Sequence, residues 1–437
     1  MRLLSYMKFM VVIRRLGGAE LTFLPTTIKD AIARKVFDSR GSISIEVDIY
    51  TESGFGSFSA PSGASKGKYE AVAFPIGGVD EAVSIFESDV APELIGLDSL
   101  NQFEIDSVLL QVDGTDNFSK IGGATALSTS IANAKAAASS LDLPLYRYLG
   151  GMLSYVLPLP LGNVVGGGVH SKAGLLDIQE ILVLPLNVDS FFKAAQVNVS
   201  VYWQILREAP SNVILGRNDE NAWVVNLEFE DALKLVRRAC NYIEEKYDVK
   251  IGIGVDIAAS SLWNGEKGKY VYPRKGLALT SEEQFNFVKN VIEEFNLIYI
   301  EDPFREDDFS SFARLTELFP NRLICGDDLY VTNAERLRYG ARQRCGNSVI
   351  IKPNQVGTLT GTIMAIDTAL TSNFIPIMSH RSGENVDPSI AHLAVAFRCP
   401  IIKTGVIGGE RIAKINELIR IEEDLGEKAE IARLEVD

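Results

Sequence analysis

The sequence has few cysteines, no long apolar run, no basic stripe and no complete phosphate-loop motif, and each absence removes a class of function. Its four cysteines, Cys240, Cys325, Cys345 and Cys399, lie far apart. Without a CxxC pair or zinc-type spacing they argue for a reduced, cytoplasmic setting and against a disulfide framework. Cys325 is read as filling space in a strand. The stretch MRLLSYMKFMVVIRRLGGAELTFLP at 1–25 is cut by Lys8, Arg14 and Arg15, leaving FMVVI as its longest clean apolar run. That is too short for a secretion signal or a membrane span, so residues 1–25 are read as an N-terminal extension of undetermined order. The formal net charge is −14 with dispersed lysines and arginines, which excludes a nucleic-acid footprint. GNVVGGGVH at 162–170 lacks the Lys-Ser/Thr ending of a P-loop and is read as a flexible turn or lid.

What remains is an ordinary globular composition, 46% hydrophobic and 23% charged over 437 residues, long enough for two domains. Residues 26–153 read as an α+β unit. SISIEVDIYTESGFGSFSAP has alternating strand-like runs around glycines, as a hairpin requires, and ATALSTSIANAKAAASSL reads as a helix that packs closely through small residues. After LGG at 149–151 the composition changes, and Pro158 and Pro160 mark a boundary, so 154–437 is read as the second domain.

Beyond residue 240 one unit repeats: an apolar strand, a polar residue at its C-terminal end, a loop, an amphipathic helix. The strand ends IGIGVD, LIYIED, LICGDD, SVIIKP, IPIMSH and PIIKTG place Asp256, Glu301, Asp327, Lys352, His380 and Lys403 at intervals of 45, 26, 25, 28 and 23 residues. Between two of them, SEEQFNFVKNVIEEF shows capping-box spacing at Ser281 and Gln284 and an apolar face of Phe285, Val288, Ile292 and Phe295. Buried parallel strands in such a series predict an α/β fold with a C-terminal (β/α)8-type barrel, whose functional residues sit at the C-terminal strand ends. Lys352 then projects into a shared mouth.

Three carboxylates converging there, Asp256, Glu301 and Asp327, repel one another unless a cation is present, and oxygen-only ligands favour Mg²⁺ or Mn²⁺ over zinc. Asp302 and Asp328 follow two of them and are expected to point elsewhere or to support the ligands. Lys352, Lys403 and Arg381 lie later in the strand order. A lysine beside a divalent metal and other cations has a depressed pKa and suits a general base. Base and metal together suit removal of a proton next to a substrate carboxylate.

The motifs FDSRG at 37–41, PSGASKGKYEA at 61–71, IQE at 178–180, IEDPFREDD at 300–308, GDDLYVTN at 326–333, IKPNQVGTLT at 351–360 and SHRSGE at 379–384 make the chain resemble the enolases, phosphopyruvate hydratases, in their archaeal forms, over roughly 27–430. General knowledge of this superfamily already pairs a Lys or His base with one or two Mg²⁺. The resemblance implies that Asp256, Glu301 and Asp327 bind a first Mg²⁺ and that Ser65 joins a second one bound with substrate. It implies Lys352 as base and Glu220 as acid in the reversible dehydration of 2-phosphoglycerate to phosphoenolpyruvate. By the same resemblance Arg381 and Ser382 hold phosphate, Lys403 holds carboxylate, and His170, Gln179 and Glu180 line a closing loop. His380 is placed either on phosphate or as a support for Arg381. The implied partner set is a phosphorylated small molecule and further copies of the chain, in a dimer or octamer, with no nucleic acid and no membrane.

Two stretches depart from the family's pattern. LGRNDENAWVVNL keeps Glu220 but has Asn218 and Asn221 where glycines are usual, and Val224–Val225 in place of Ala-Pro. Asparagine is the least costly replacement for a glycine at positive φ, so the loop is expected to keep its shape. HSKAGLLDIQE sets Glu180 ten positions after His170, one more than in many enolases. Alternatives left open are a catalytically impaired paralogue serving as a binding or scaffold protein, and a superfamily enzyme acting on another carboxylate. A Schiff-base aldolase would use a lysine but has no need of three metal carboxylates. His392 is read as a helix residue without chemistry.

Overall fold

The computed structural model describes residues 24–63, 67–171 and 173–435. The first layer is an antiparallel meander, β1 (Ile28–Phe37), β2 (Ile43–Thr51) and β3 (Phe55–Ser59). The expected hairpin is β2–β3, with Glu46 opposite Ser59. Helix α1 (Gly123–Ser140) lies on this sheet and is buried on nearly every side. Its small residues allow the close approach read from the sequence: a Cβ on Gly56 of β3 would fall 2.0 Å from the Ala132 carbonyl oxygen. Only glycine leaves room for that contact.

The remainder closes into a barrel. Its strands are β4 (Leu159–Gly166), β5 (Glu180–Leu186), β6 (Lys250–Asp256), β7 (Tyr299–Glu301), β8 (Leu323–Gly326), β9 (Ser348–Ile351), β10 (Ile375–Ser379) and β11 (Ile401–Gly405), each bonded to the next, with β11 pairing back to β4. The six strands marked by polar ends are β6 to β11. Two more precede them, and β5 runs antiparallel to both neighbours. The reason is the connection: β4 reaches β5 through a loop instead of a helical crossover, and such a link reverses strand direction. Gly162 to Gly166, read as part of a turn or lid, are buried within β4.

Leucine and isoleucine side chains such as Leu161, Leu182, Leu184, Ile350 and Ile401 fill the barrel interior, separate from the larger core between strands and helices. Between strands run α2 (Phe191–Glu208), α3 (Phe229–Tyr247), α4 (Ser281–Phe295), α5 (Phe309–Leu318), α6 (Ala334–Arg342), α7 (Leu359–Thr371), α8 (Ser389–Ala396) and α9 (Gly409–Leu425). In α4 the capping box is made by Thr280 and Glu283, one residue before the Ser281–Gln284 pair expected. Gln284 instead points inward and donates to the Pro303 carbonyl, 2.9 Å. Phe285, Val288 and Ile292 are its buried face, as the spacing predicts.

Candidate active site

Because seven of the eight barrel strands share one direction, register decides which side chains meet at the rim. Glu301 pairs with Asp256, and Ser379 with Lys403. The antiparallel β5 brings its first residue to the same rim, so Glu180 sits opposite Asp256. Ten of the residues named from the sequence line one small cavity there, about 20 Å³: Asp256, Lys352, Lys403, His380, Arg381, Ser382, Glu220, His170, Gln179 and Glu180. Glu301 and Asp327 reach it through the two lysines. Ser65 lies outside the described residues.

Charge compensation organises the cavity. Lys403 Nζ lies 2.8 Å from Glu180 Oε2, 3.1 Å from Asp256 Oδ2 and 2.6 Å from Glu301 Oε2. Lys352 donates to Asp327 Oδ2. Buried charges persist only with such partners. Asp327 is also fixed from behind: Asp302 accepts its backbone N–H at 3.0 Å and that of Asp328 at 2.8 Å. The groups that gather within 4.8 Å of one another are Glu180 with Glu220 and His380, and Asp302 with Asp327 and Asp328. Asp256, Glu301 and Asp327 are thus brought to one rim but bridged by ammonium groups.

Burial would lower Lys352, yet Asp327 outweighs it and holds the amine above its ordinary value. That is opposite to the depressed value expected for a base, because the carboxylate dominates the other cations. Burial raises Glu301 to about 7, reinforced by Asp256 and opposed by Lys403. Burial also drives Glu180 well above the usual carboxylate range, against the pull of Lys403. Burial acts on Glu220 in the same sense, but His380, His170 and Arg411 outweigh it and hold this carboxyl well below that range. Two adjacent carboxyls pushed in opposite directions form an acid–base pair, with the proton residing on the Glu180 side.

Glu220 is held by Asn163 Nδ2 at 2.9 Å, with His380 Nε2 at 3.5 Å from the same Oε2. The other His380 nitrogen, Nδ1, lies 2.7 Å from Arg411 Nη1. Arg411 is entirely buried and also donates to the Ser382 carbonyl at 2.8 Å, tying down the turn that carries His380, Arg381 and Ser382. His170 Nδ1 pairs with Asp219 Oδ1 at 3.0 Å. Arg274 clamps the His170 loop by donating to the carbonyls of Gly168, Ser171 and Leu176.

The amino-terminal unit completes one wall. Glu70 accepts from both terminal nitrogens of Arg381, at 3.3 and 3.2 Å. Gln355 donates to Glu70 at 3.2 Å and to Asp327 at 2.9 Å. Glu70, Gln355, Asn163, Asp219 and Arg411 were not singled out from the sequence. Glu70, Gln355, Asn163 and Asp219 lie within stretches quoted above without being picked out of them, whereas Arg411 sits near the start of a helix and carries no chemical signal of its own.

Among the described residues, Glu301 Oε1 and Gln179 Oε1 are buried oxygens without a hydrogen-bond partner. Orphaned hard acceptors in a carboxylate-rich cavity fit a divalent cation that takes oxygen ligands. His392 has no place here: it lies on α8, paired with Glu417 at 3.0 Å.

The chain was compared with known proteins. The family model for the enolase N-terminal domain matches residues 28–149, and that for the enolase C-terminal TIM barrel domain matches residues 154–436. The enolase of Methanosphaera stadtmanae is 47% identical over 406 residues, covering 92% of this chain and 98% of its own. That of Pyrobaculum aerophilum is 46% identical over 418 residues, with 94% and 99% covered. That of Haloarcula marismortui is 43% identical over 408 residues, with 91% and 99% covered. With both halves matched by the family models and near full-length relatives well above 40% identity, the chain belongs to the enolase family.

Proposed function

We propose that this chain is a phosphopyruvate hydratase, interconverting 2-phospho-D-glycerate with phosphoenolpyruvate and water. The observation that carries the reading is one buried cavity holding Lys352, Lys403 and Arg381 together with the Glu180–Glu220 carboxyl pair. An elimination needs both a base and an acid in one enclosed space, with cations for an anionic substrate.

In the forward direction the C2–H and C3–O bonds break, a C2–C3 double bond forms, and the hydroxyl leaves as water. Lys352 takes the C2 proton. Glu180, on whose side the proton of the pair resides, passes it to Glu220, which delivers it to the departing hydroxyl. Lys403 faces the substrate carboxylate, and Arg381 with Ser382 faces the phosphate once Arg381 turns from Glu70. Asp256, Glu301 and Asp327 would hold a first Mg²⁺, and Ser65 a second that arrives with substrate. Mg²⁺ held there would supply positive charge to offset what develops on the substrate carboxylate as the C2 proton leaves, and would compete with Lys352 for Asp327.

The test is phosphoenolpyruvate formation, followed by ultraviolet absorbance, for wild type with Mg²⁺, wild type with EDTA, and Lys352→Ala with Mg²⁺. Activity in the first alone supports the proposal. A folded wild type that is inactive with Mg²⁺ overturns it. We place the enzyme in the cytoplasm as a homo-oligomer, dimer or octamer, which light scattering on the purified protein resolves.

A further inference from the structure

The acid of the proposed elimination sits on a short loop between two strands, Ile214–Arg217 and Trp223–Val225. A five-residue turn between two strands is by itself a poor platform for a side chain that must meet a leaving oxygen within a few tenths of an ångström. Here the turn is built around two asparagine side chains. Asn218 Oδ1 accepts the backbone N–H of Glu220 at 3.0 Å and that of Ala222 at 2.9 Å. The backbone closes the same ring, Asn218 N–H to the Ala222 carbonyl at 3.0 Å and Asn221 N–H to the Asn218 carbonyl at 3.1 Å. Asn221 stands at φ 63°, the left-handed region that asparagine tolerates, as expected from the sequence. Asn218 does not share that conformation, so its role is in its side chain and not in its backbone freedom.

Asn221 ties the turn to the barrel. Its Nδ2 donates to Glu410 Oε1 at 3.1 Å, and its carbonyl accepts from the Tyr202 hydroxyl at 2.8 Å. Glu410 opens α9, and the next residue is Arg411, which donates to the Asp219 carbonyl at 3.4 Å and holds His380. One helical turn therefore grips the loop carrying Glu220 and also the segment carrying His380 and Arg381. Two glycines make room: a Cβ on Gly166 would lie 2.1 Å from Asn218 Nδ2, and one on Gly408 would lie 2.3 Å from Asn221 Nδ2.

We infer that Asn218 and Asn221, with Glu410, are positioning residues that hold Glu220 where the leaving hydroxyl must be protonated. The inference rests on the proposed assignment of Glu220 as acid. These three residues, none of them touching substrate, govern the acid half of the reaction and leave the base half alone.

The base half has its own readout, exchange of the C2 hydrogen of 2-phosphoglycerate with solvent deuterium, which Lys352 carries without the acid. The variants are Asn218→Ala, which removes both acceptors, and Asn218→Asp, which keeps them. Asn221→Gly keeps the left-handed backbone and loses only the link to Glu410, and Glu410→Ala cuts that link from the other side. Asn218→Ala is expected to lower kcat for dehydration about 10- to 100-fold with KM within about threefold, while C2 exchange stays within about threefold of wild type. Asn218→Asp should recover most of that loss. Asn221→Gly should show the same kind of deficit, and the double variant should lose no more than Glu410→Ala alone, which also gives up the 3.5 Å pairing of Glu410 Oε1 with Arg411 Nε. Dehydration and exchange falling together, or neither falling, overturns the inference. Additive losses in the double variant overturn the Asn221–Glu410 link. An inactive wild type refutes the functional assignment instead, and active wild type with active Glu220→Gln refutes Glu220 as acid, so the failures are separable. Should Asn218→Ala not fold, Asn221→Gly decides alone.

Discussion

Lys403 offers the sharpest test of how the cavity is charged. Its side chain is 3% exposed, and its ammonium lies within about 3 Å of carboxylates from Glu180, Asp256 and Glu301. In Lys403→Met the stem is replaced at similar length and the charge is lost. Removing one partner of a buried ionic group costs about 3–5 kcal/mol, because the remaining charge is left uncompensated. Protonation provides an escape. Burial pushes Glu301 up to about 7, against 4.5 for an ordinary glutamate, and also drives Glu180 well above the ordinary value. A carboxyl whose folded pKa is raised binds its proton more tightly folded than unfolded. Its contribution to stability is full below about 4.5 and fades as pH rises through the folded value. In the variant those folded values rise further, because the opposing lysine is gone. Each extra proton held by the folded state changes stability by about 1.4 kcal/mol per pH unit. The expected deficit, read by urea unfolding in EDTA, is therefore about 4 kcal/mol at pH 8.5 and about 1 kcal/mol at pH 6. A deficit independent of pH, or larger at pH 6, refutes the reasoning.

On its proposed role as base, Lys352→Ala should lose about a thousandfold in kcat while keeping its far-ultraviolet circular dichroism. Removing Mg²⁺ with EDTA should abolish turnover, and adding it back should restore turnover without refolding. Gly56→Val should destabilise the amino-terminal unit by about 2–3 kcal/mol in thermal or urea melts, because the new Cβ meets the Ala132 carbonyl at 2.0 Å. An unchanged melt would mean that α1 does not lie this close. Glu417 is held down to about 2, first by its hydrogen bond to His392, against burial, and then by Arg420. Its contribution is complete above about 4.5 and disappears as pH falls towards 2, so Glu417→Gln should cost roughly 1 kcal/mol at pH 6 and nothing at pH 2.

Much of the barrel was legible because parallel strands buried on both faces leave an unambiguous trace: apolar runs that end in a polar residue, separated by helix-length intervals. The six strands β6 to β11 were read that way. The first two were not, for a physical reason. β4 contains Gly162 and Gly166 among its buried residues and resembles a loop by composition, and β5 turns its functional residue to the front of the strand. A rule that looks for polar residues at C-terminal ends misses an antiparallel strand, whose active-site end is its first residue. Glu180 was found only through the IQE motif. The α4 cap slipped by one residue because Thr280 and Ser281 are both competent N-caps, and the choice belongs to Gln284, which the core claims for the Pro303 carbonyl.

The site shows a different limit. Periodicity brings Asp256, Glu301, Asp327, Lys352 and Lys403 to one rim, but it says nothing of how opposite charges settle there. The lysines do not stand apart from the carboxylates: Lys403 bridges Glu180, Asp256 and Glu301, and Lys352 binds Asp327. Five carboxyls, counting Glu220, and two lysines packed into a buried space cannot all keep their ordinary proton affinities. Burial raises Glu180 and Glu301; His380, His170 and Arg411 together hold Glu220 down, with the positive charge coming from His170 and Arg411 because burial and Arg411 keep His380 itself well below its ordinary value, and Lys352 and Arg381 hold Asp327 down. The partition follows from who stands beside whom: Glu220 faces His380, His170 and Arg411, while Glu180 faces Asp256 and Glu220 itself. The sorting of acid from base in this cavity is thus set by side chains such as Arg411, which sequence pattern files under helix and which touch the chemistry only through another residue.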